Sequence, residues 1–125
     1  MSPVTLAFPA DSVNVSLART VAAAMAARAD LTLDRLEDAR LAADEAVAQL
    51  LASTPPGSSL TCAFEAEPGS LRMSVSGPWS DSAPPSTRTF GWTVLDALCT
   101  SVHARLDDGT LTLTLTVEGT VPASA

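Results

Sequence analysis

Glu45 and Gln49 stand four residues apart within DARLAADEAVAQ, residues 38–49. On a helix that spacing places a carboxylate and an amide one turn apart on the same face. A carboxylate can take a proton from a hydroxyl, and an amide oxygen beside it can ligate a magnesium ion that carries a phosphate. The plainer alternative is a solvated acid next to a helix-favouring polar residue. What separates the two readings is the company the rest of the chain brings to this pair.

The pair belongs to the second of two predicted helices. Thr32 or Asp34 caps it, and Asp34 with Glu37 has the spacing of a capping box. Leu36, Ala39, Ala43, Val47 and Leu50 form its packing face, and Thr54-Pro-Pro-Gly57 stops it. Ahead of it, residues 4–8 read as a short strand that Pro9 ends. A first helix follows with Asp11 or Ser12 as N-cap and runs to about Ala29. Its apolar stripe is expected to be Val13, Leu17, Val21, Ala24 and Met25, with Asn14 and Arg19 off that stripe.

Beyond the second helix, Leu60, Cys62 and Phe64 alternate with Thr61, Ala63 and Glu65. After a turn at residues 67–70, Leu71, Met73 and Val75 alternate with Arg72, Ser74 and Ser76, which predicts a β-hairpin with one wet face. Residues 77–88 are rich in proline and serine, have neither period, and have the length of a lid or binding segment. Helical spacing returns over residues 90–100 through Phe90, Val94, Ala97 and Leu98. A final hairpin, residues 102–106 and 110–117, turns at Asp108-Gly109, and its last strand alternates leucine and valine strictly with threonine. This order predicts an α+β, two-layer sandwich, with a mixed or mostly antiparallel sheet and three helices on one face.

With 125 residues, the chain has the length of a single domain, residues 1–125. Apolar residues make up 46% and charged residues 17%, which excludes disorder. No apolar run is long enough to cross a membrane, and residues 1–12 lack the pattern of a secretory signal, so a cytoplasmic protein is expected. Fourteen acids against seven bases, all arginine, give a net charge of −7. That balance argues against direct nucleic-acid binding and suits either solubility or a basic protein partner. Cys62 and Cys99 lack metal-like spacing and fall on apolar faces, as reduced core cysteines do. His103 has no acid or cysteine motif near it and is assigned no role.

Taken together, these segments resemble the anti-sigma factors of the GHKL (Bergerat-fold, histidine-kinase-like) ATPase superfamily, serine protein kinases of the RsbW and SpoIIAB type. The similarity covers most of the chain. Asn14-Val-Ser-Leu-Ala-Arg19 resembles the family's first-helix segment, which ends in a partner-contacting arginine. Residues 31–51 resemble the helix that carries the catalytic Glu and the magnesium-binding Asn. Residues 91–98, GWTVLDAL, resemble the stretch after the lid, with wording closest to the divergent actinobacterial branch.

The resemblance implies roles residue by residue. Glu45 falls at the base that activates a serine hydroxyl of an anti-anti-sigma (STAS-domain) protein. Gln49 falls at the magnesium ligand, where the family has asparagine, and its extra methylene adds about 1.5 Å of reach. Gly91 keeps one glycine of the phosphate-contacting G-x-G pair, and Thr89 replaces the other. Val75-Ser-Gly77 occupies the D-x-G position, and valine cannot accept from an adenine amino group. Losing that buried, charged hydrogen bond costs roughly 1.5 to 3 kcal/mol, or one to two decades of affinity. Asn14 and Arg19 fall on the partner surface, although Arg19 could instead pair with an acid of its own chain. Trp92 has helical spacing that suits the core, or it anchors a partner.

The expected function is therefore an anti-sigma factor that sequesters a stress-type sigma factor, with a degraded site for ATP and Mg2+, acting as a homodimer and antagonised by an anti-anti-sigma protein. Two alternatives stand beside it. One is an active ATP-dependent serine kinase using Glu45, and the other is a non-sigma adaptor on the same fold.

Overall fold

The computed structural model describes residues 3–119; the ends of the single domain expected from the sequence, residues 1–2 and 120–125, lie outside it. Strand β1 (Val4–Pro9) leads through a 3-10 turn (Ser12–Asn14) into α1 (Val15–Arg28) and then α2 (Leu33–Leu51). A hairpin of β2 (Ser59–Glu67) and β3 (Ser70–Pro78) follows, then α3 (Phe90–Leu98) and a second hairpin of β4 (Ser101–Asp107) and β5 (Thr110–Glu118). The sheet order is β1-β2-β3-β5-β4, and every pairing is antiparallel, so of the two expected sheet types the mixed one falls away. All three helices cover one face, giving the expected two-layer α+β sandwich.

The strands are positioned as their alternation requires. Leu60, Cys62, Phe64 and Ala66 of β2, with Leu71, Met73 and Val75 of β3, are buried under the helices. Leu111, Leu113, Leu115 and Val117 of β5 complete this inner face. The threonines of β5 and Glu65, Arg72 and Ser74 form the wet outer face. Asp108 (φ 51°) and Gly109 (φ 77°) both take the left-handed conformation that a tight two-residue hairpin turn demands. Strand β3 runs farther than expected, because Gly77 and Pro78 still pair with Leu111 and Thr110 of β5. The irregular loop is therefore residues 79–89.

The helices depart more from expectation. Asp11 caps the 3-10 turn by accepting from the Val13 amide, and α1 starts only at Val15. The buried face of α1 is Ala18, Ala22, Met25 and Ala26; of the expected stripe Met25 is buried, whereas Val13 is 72% and Leu17 47% exposed. Its neighbour α2 also buries alanines, at Ala39, Ala42, Ala43 and Ala46. Two faces of small side chains let helix backbones approach closely, and bulk is then supplied from the sheet by Phe64, Leu60 and Met73. The same rotation appears in α3, where Trp92 and Leu95 are buried while Phe90 is 83% exposed. Trp92 thus takes the core position of its two alternatives.

Helix α2 is capped by Thr32, which accepts from the Arg35 amide. The expected capping box does not form, because Thr32 is the N-cap and Asp34 already lies within the helix; Glu37 pairs with Arg40 at 2.8 Å. Arg35 instead ties three elements together. Its guanidinium donates to Asp38 (2.8 Å), to the Glu118 carbonyl at the end of β5 (2.9 Å), and to Thr100 Oγ1 after α3 (3.3 Å). Because α2 is fixed at its N-terminal end in this way, the orientation of Glu45 and Gln49 farther along it is set by the packing of the whole layer.

Candidate functional site

Glu45 and Gln49 do share one face of α2, and that face meets the first turn of α3. A methyl group placed on Gly91 would stand 2.7 Å from Glu45 Oε2 and 2.9 Å from Gln49 Nε2. The glycine therefore lets both side chains lie against the helix backbone, and the three expected site residues are brought together. Gln49 Nε2 is buried without a hydrogen-bond partner. Thr89, at the first-glycine position of G-x-G, is the N-cap of α3. Its hydroxyl accepts from the Trp92 amide at 3.1 Å, and its carbonyl accepts from the Thr93 amide.

A groove of about 360 Å³ opens beside this pair. Glu45, Gln49, Ser86 and Thr89 supply its polar groups, and Ala48, Ala52, Trp79 and Pro85 supply its apolar walls. The 79–89 loop thus contributes to the site, but its first part is tied down. The Trp79 amide donates to the Gly109 carbonyl and its indole Nε1 to the Ala83 carbonyl, both at 2.9 Å, while the Ser80 amide donates to the Ser53 carbonyl at 3.0 Å. Trp79 and Ser86 were not recognisable as site residues from spacing. A tryptophan directly after the Gly77-Pro78 strand end was the available signal.

The position expected to contact a base is different in kind. Val75 is 3% exposed and faces the helices between Cys62 of β2 and Leu113 of β5. A methyl group on Gly77 would run into Leu60 Cδ2 and come within 3.6 Å of Leu50 Cδ2. This stretch of sheet is core.

Arg19 bridges α1 to α2 by donating to Asp44 Oδ2 at 3.2 Å, and its side chain is 41% exposed. Asp44 was missed by sequence reading, because only the helix pairing brings it to Arg19, 25 residues away. Its second oxygen, Oδ1, is buried with no partner. Asn14 donates from Nδ2 to the Pro9 carbonyl at 3.0 Å, so it holds the strand-to-helix connection. Both cysteines are free thiols. Burial pushes Cys62 up to about 11; it pushes Cys99 up to about 12, with Arg35 opposing and Asp38 and Asp96 reinforcing the rise. Among the described residues no three His, Cys, Asp or Glu side chains group as a metal site would require, and no helix is long and apolar enough to cross a membrane.

A five-stranded antiparallel sheet with three helices on one face, and an acid and an amide facing the start of α3, define a class. The sequence profile of the histidine kinase-like ATPase domain matches residues 8–117, and the chain belongs to that family. No curated protein matches the chain at a significant level.

Domains of this family imply ATP and Mg2+, so the donor set must be tested against a nucleotide. No arginine lines the groove, whose one charged group is the Glu45 carboxylate, so a polyphosphate there would depend on Mg2+ alone for its countercharge. The base position offers hydrocarbon in place of an acceptor. The residues present therefore do not fit the nucleotide in the manner the family implies.

Proposed function

We propose that the chain is a protein-binding regulator, an anti-sigma factor that sequesters an alternative sigma factor and is released by an anti-anti-sigma protein, with little or no use of ATP. The observation that carries this reading is Val75 buried at the base position while the family's fold persists over residues 8–117. A fold retained after its ligand contacts have closed serves through its surface. The partner surface is centred on α1, with Arg19 and Asn14, in a homodimer of the kind the resemblance implies. Exposed Leu17 on the same helix, and Val13 in the 3-10 turn before it, support that assignment. Pull-down and two-hybrid assays against the sigma factors of the source organism should yield a binder, and failure with all of them rejects the reading.

One observation favours a second reading. Glu45 lines an open groove beside the start of α3, where a general base for serine phosphorylation would stand, with Gln49 as metal ligand and Gly91 at the phosphates. In that case the chain is an ATP-dependent serine kinase. Isothermal titration with ATP and Mg2+ decides. Micromolar binding lost in Glu45→Ala supports the kinase, and absence of heat at millimolar nucleotide rejects it.

A further inference from the structure

A second groove, of about 450 Å³, continues along α2 from the first toward its N-terminal end. Val15 of α1, Leu41 of α2, and Val94 and Leu98 of α3 make its floor, and Asp44 and Glu45 supply its charge. It shares Glu45 and Ala48 with the groove beside Gly91, so the two form one trough along the outward face of α2. The residues of α2 that line it, from Leu41 to Ala52, recur at helical spacing and span about 16 Å at 1.5 Å per residue. Leu41 is 46% exposed at one end.

The charge in the trough is one-sided. Neither groove is lined by arginine, and the chain carries −7 overall. Arg19 engages only Asp44 Oδ2 and leaves Oδ1 buried and without a donor. The Glu45 carboxylate lines both grooves with no arginine beside it, and a cation that reaches it complements that charge. To reach it from outside, the cation must sit at the end of a long side chain whose neighbours can cover Leu41, Val94 and Leu98. A straight trough with room for about three helical turns suits an amphipathic helix.

We infer that this trough is the docking site for a basic amphipathic helix of a partner protein, with leucine-like residues on the Leu41, Val94 and Leu98 floor and an arginine or lysine directed at Asp44 and Glu45. The inference deepens the proposed regulatory function and rests on it for the identity of the partner, but the chemistry of recognition stands on the trough itself. It also gives Glu45 a part that needs no nucleotide.

The probe is a synthetic helical peptide of about 14 residues, roughly 20 Å long, with leucines on one face and arginines flanking them, beside a twin carrying glutamates for the arginines. The arginine peptide should bind and shift the NMR signals of Val15, Leu41, Val94 and Leu98 while leaving Thr112 and Thr114 on the outer sheet face unmoved. Leu41→Asp and Asp44→Asn, both at partly exposed positions, should each weaken it by about tenfold, whereas Glu67→Gln, far along β2, should not. The glutamate peptide should not bind. Absence of binding, shifts spread over the outer sheet face, or equal loss in Glu67→Gln overturns the inference. So does a dimer in sedimentation that Leu41→Asp dissolves, since the occupant would then be a second copy. A sigma factor that binds wild type and Leu41→Asp equally would overturn the docking site and leave the regulatory reading intact. Peptide docking as described with no sigma-factor binder would do the reverse.

Discussion

Around Glu45 polar side chains border an open groove, whereas around Val75, on the inner face of the sheet, the surroundings are hydrocarbon. At the first end, a methyl group on Gly91 would meet the side-chain tips of Glu45 and Gln49. At the second, Gly77 packs against Leu60 and Leu50, which are fully buried. The difference shows what each setting asks of a charged side chain. An acid on an exposed helix face costs almost nothing to keep, while an acid on the inner face of a sheet must be held by its ligand or replaced by something apolar. Here the inner face carries Val75, and the helix end borders an open groove.

The strongest way to break this contrast is to restore an acid at the closed end. Val75→Asp should bury an unpaired carboxylate between Cys62 and Leu113 and cost about 4 kcal/mol or more, a large part of the stability of a domain this size. A urea or thermal melt measures it. A well-folded Val75→Asp that gained ATP binding would show that the base end is still a pocket.

Gly77→Ala tests the same end more gently. The added methyl would collide with Leu60 Cδ2, and Leu60 and Leu50 have no free volume to retreat into, so overpacking should cost about 2 kcal/mol. Urea denaturation with an unchanged m-value is the expected signature.

The sheet end was the more legible in sequence. Strict alternation in β2, β3 and β5 assigns each side chain to a face, and a one-residue error would have put leucines in water. Val75 could therefore be assigned to an apolar face before any geometry. The helices were harder, because alanine is indifferent enough that Val13, Leu17 and Phe90 attracted the stripe that small residues in fact occupy. Glu45, Gln49 and Gly91 were legible as a group by resemblance. Asp44, Trp79 and Ser86 were not, since their roles arise from contacts between elements far apart in the chain.

Alkaline pH gives a quieter test of how dry the closed end is. Cys62 faces Val75 across β2 and β3, and burial pushes its thiol from 9.0 to about 11. The folded chain therefore holds a proton that the unfolded chain releases. The associated stability is fully present below pH 9 and is lost as pH rises through about 11. The loss should be at most about 1.4 kcal/mol between pH 9 and 10. The chain has no tyrosine and all its bases are arginine, so the two cysteines dominate this window. Cys99, pushed up to about 12, acts with the same sign. The gap in urea midpoint between wild type and Cys62→Ala should accordingly narrow from pH 9 to 11, and a constant gap would mean that water reaches the thiol.

Gly91→Ala should have the smallest effect, and its smallness is informative. The atoms nearest the new methyl are Glu45 Oε2 and Gln49 Nε2, both at the ends of flexible side chains that line the groove. Swinging them into the groove costs little, and alanine is favoured over glycine in a helix by up to about 1 kcal/mol. The net change in stability should stay within about 0.5 kcal/mol of zero. Gln49 would also gain solvent for its unpartnered amide nitrogen, which offsets part of any packing loss. If Gly91→Ala instead proved as damaging as Gly77→Ala, then Glu45 and Gln49 would be held rigidly against α3. The groove would then be a built site with a fixed geometry, and the kinase reading would gain the support that the closed base end denies it.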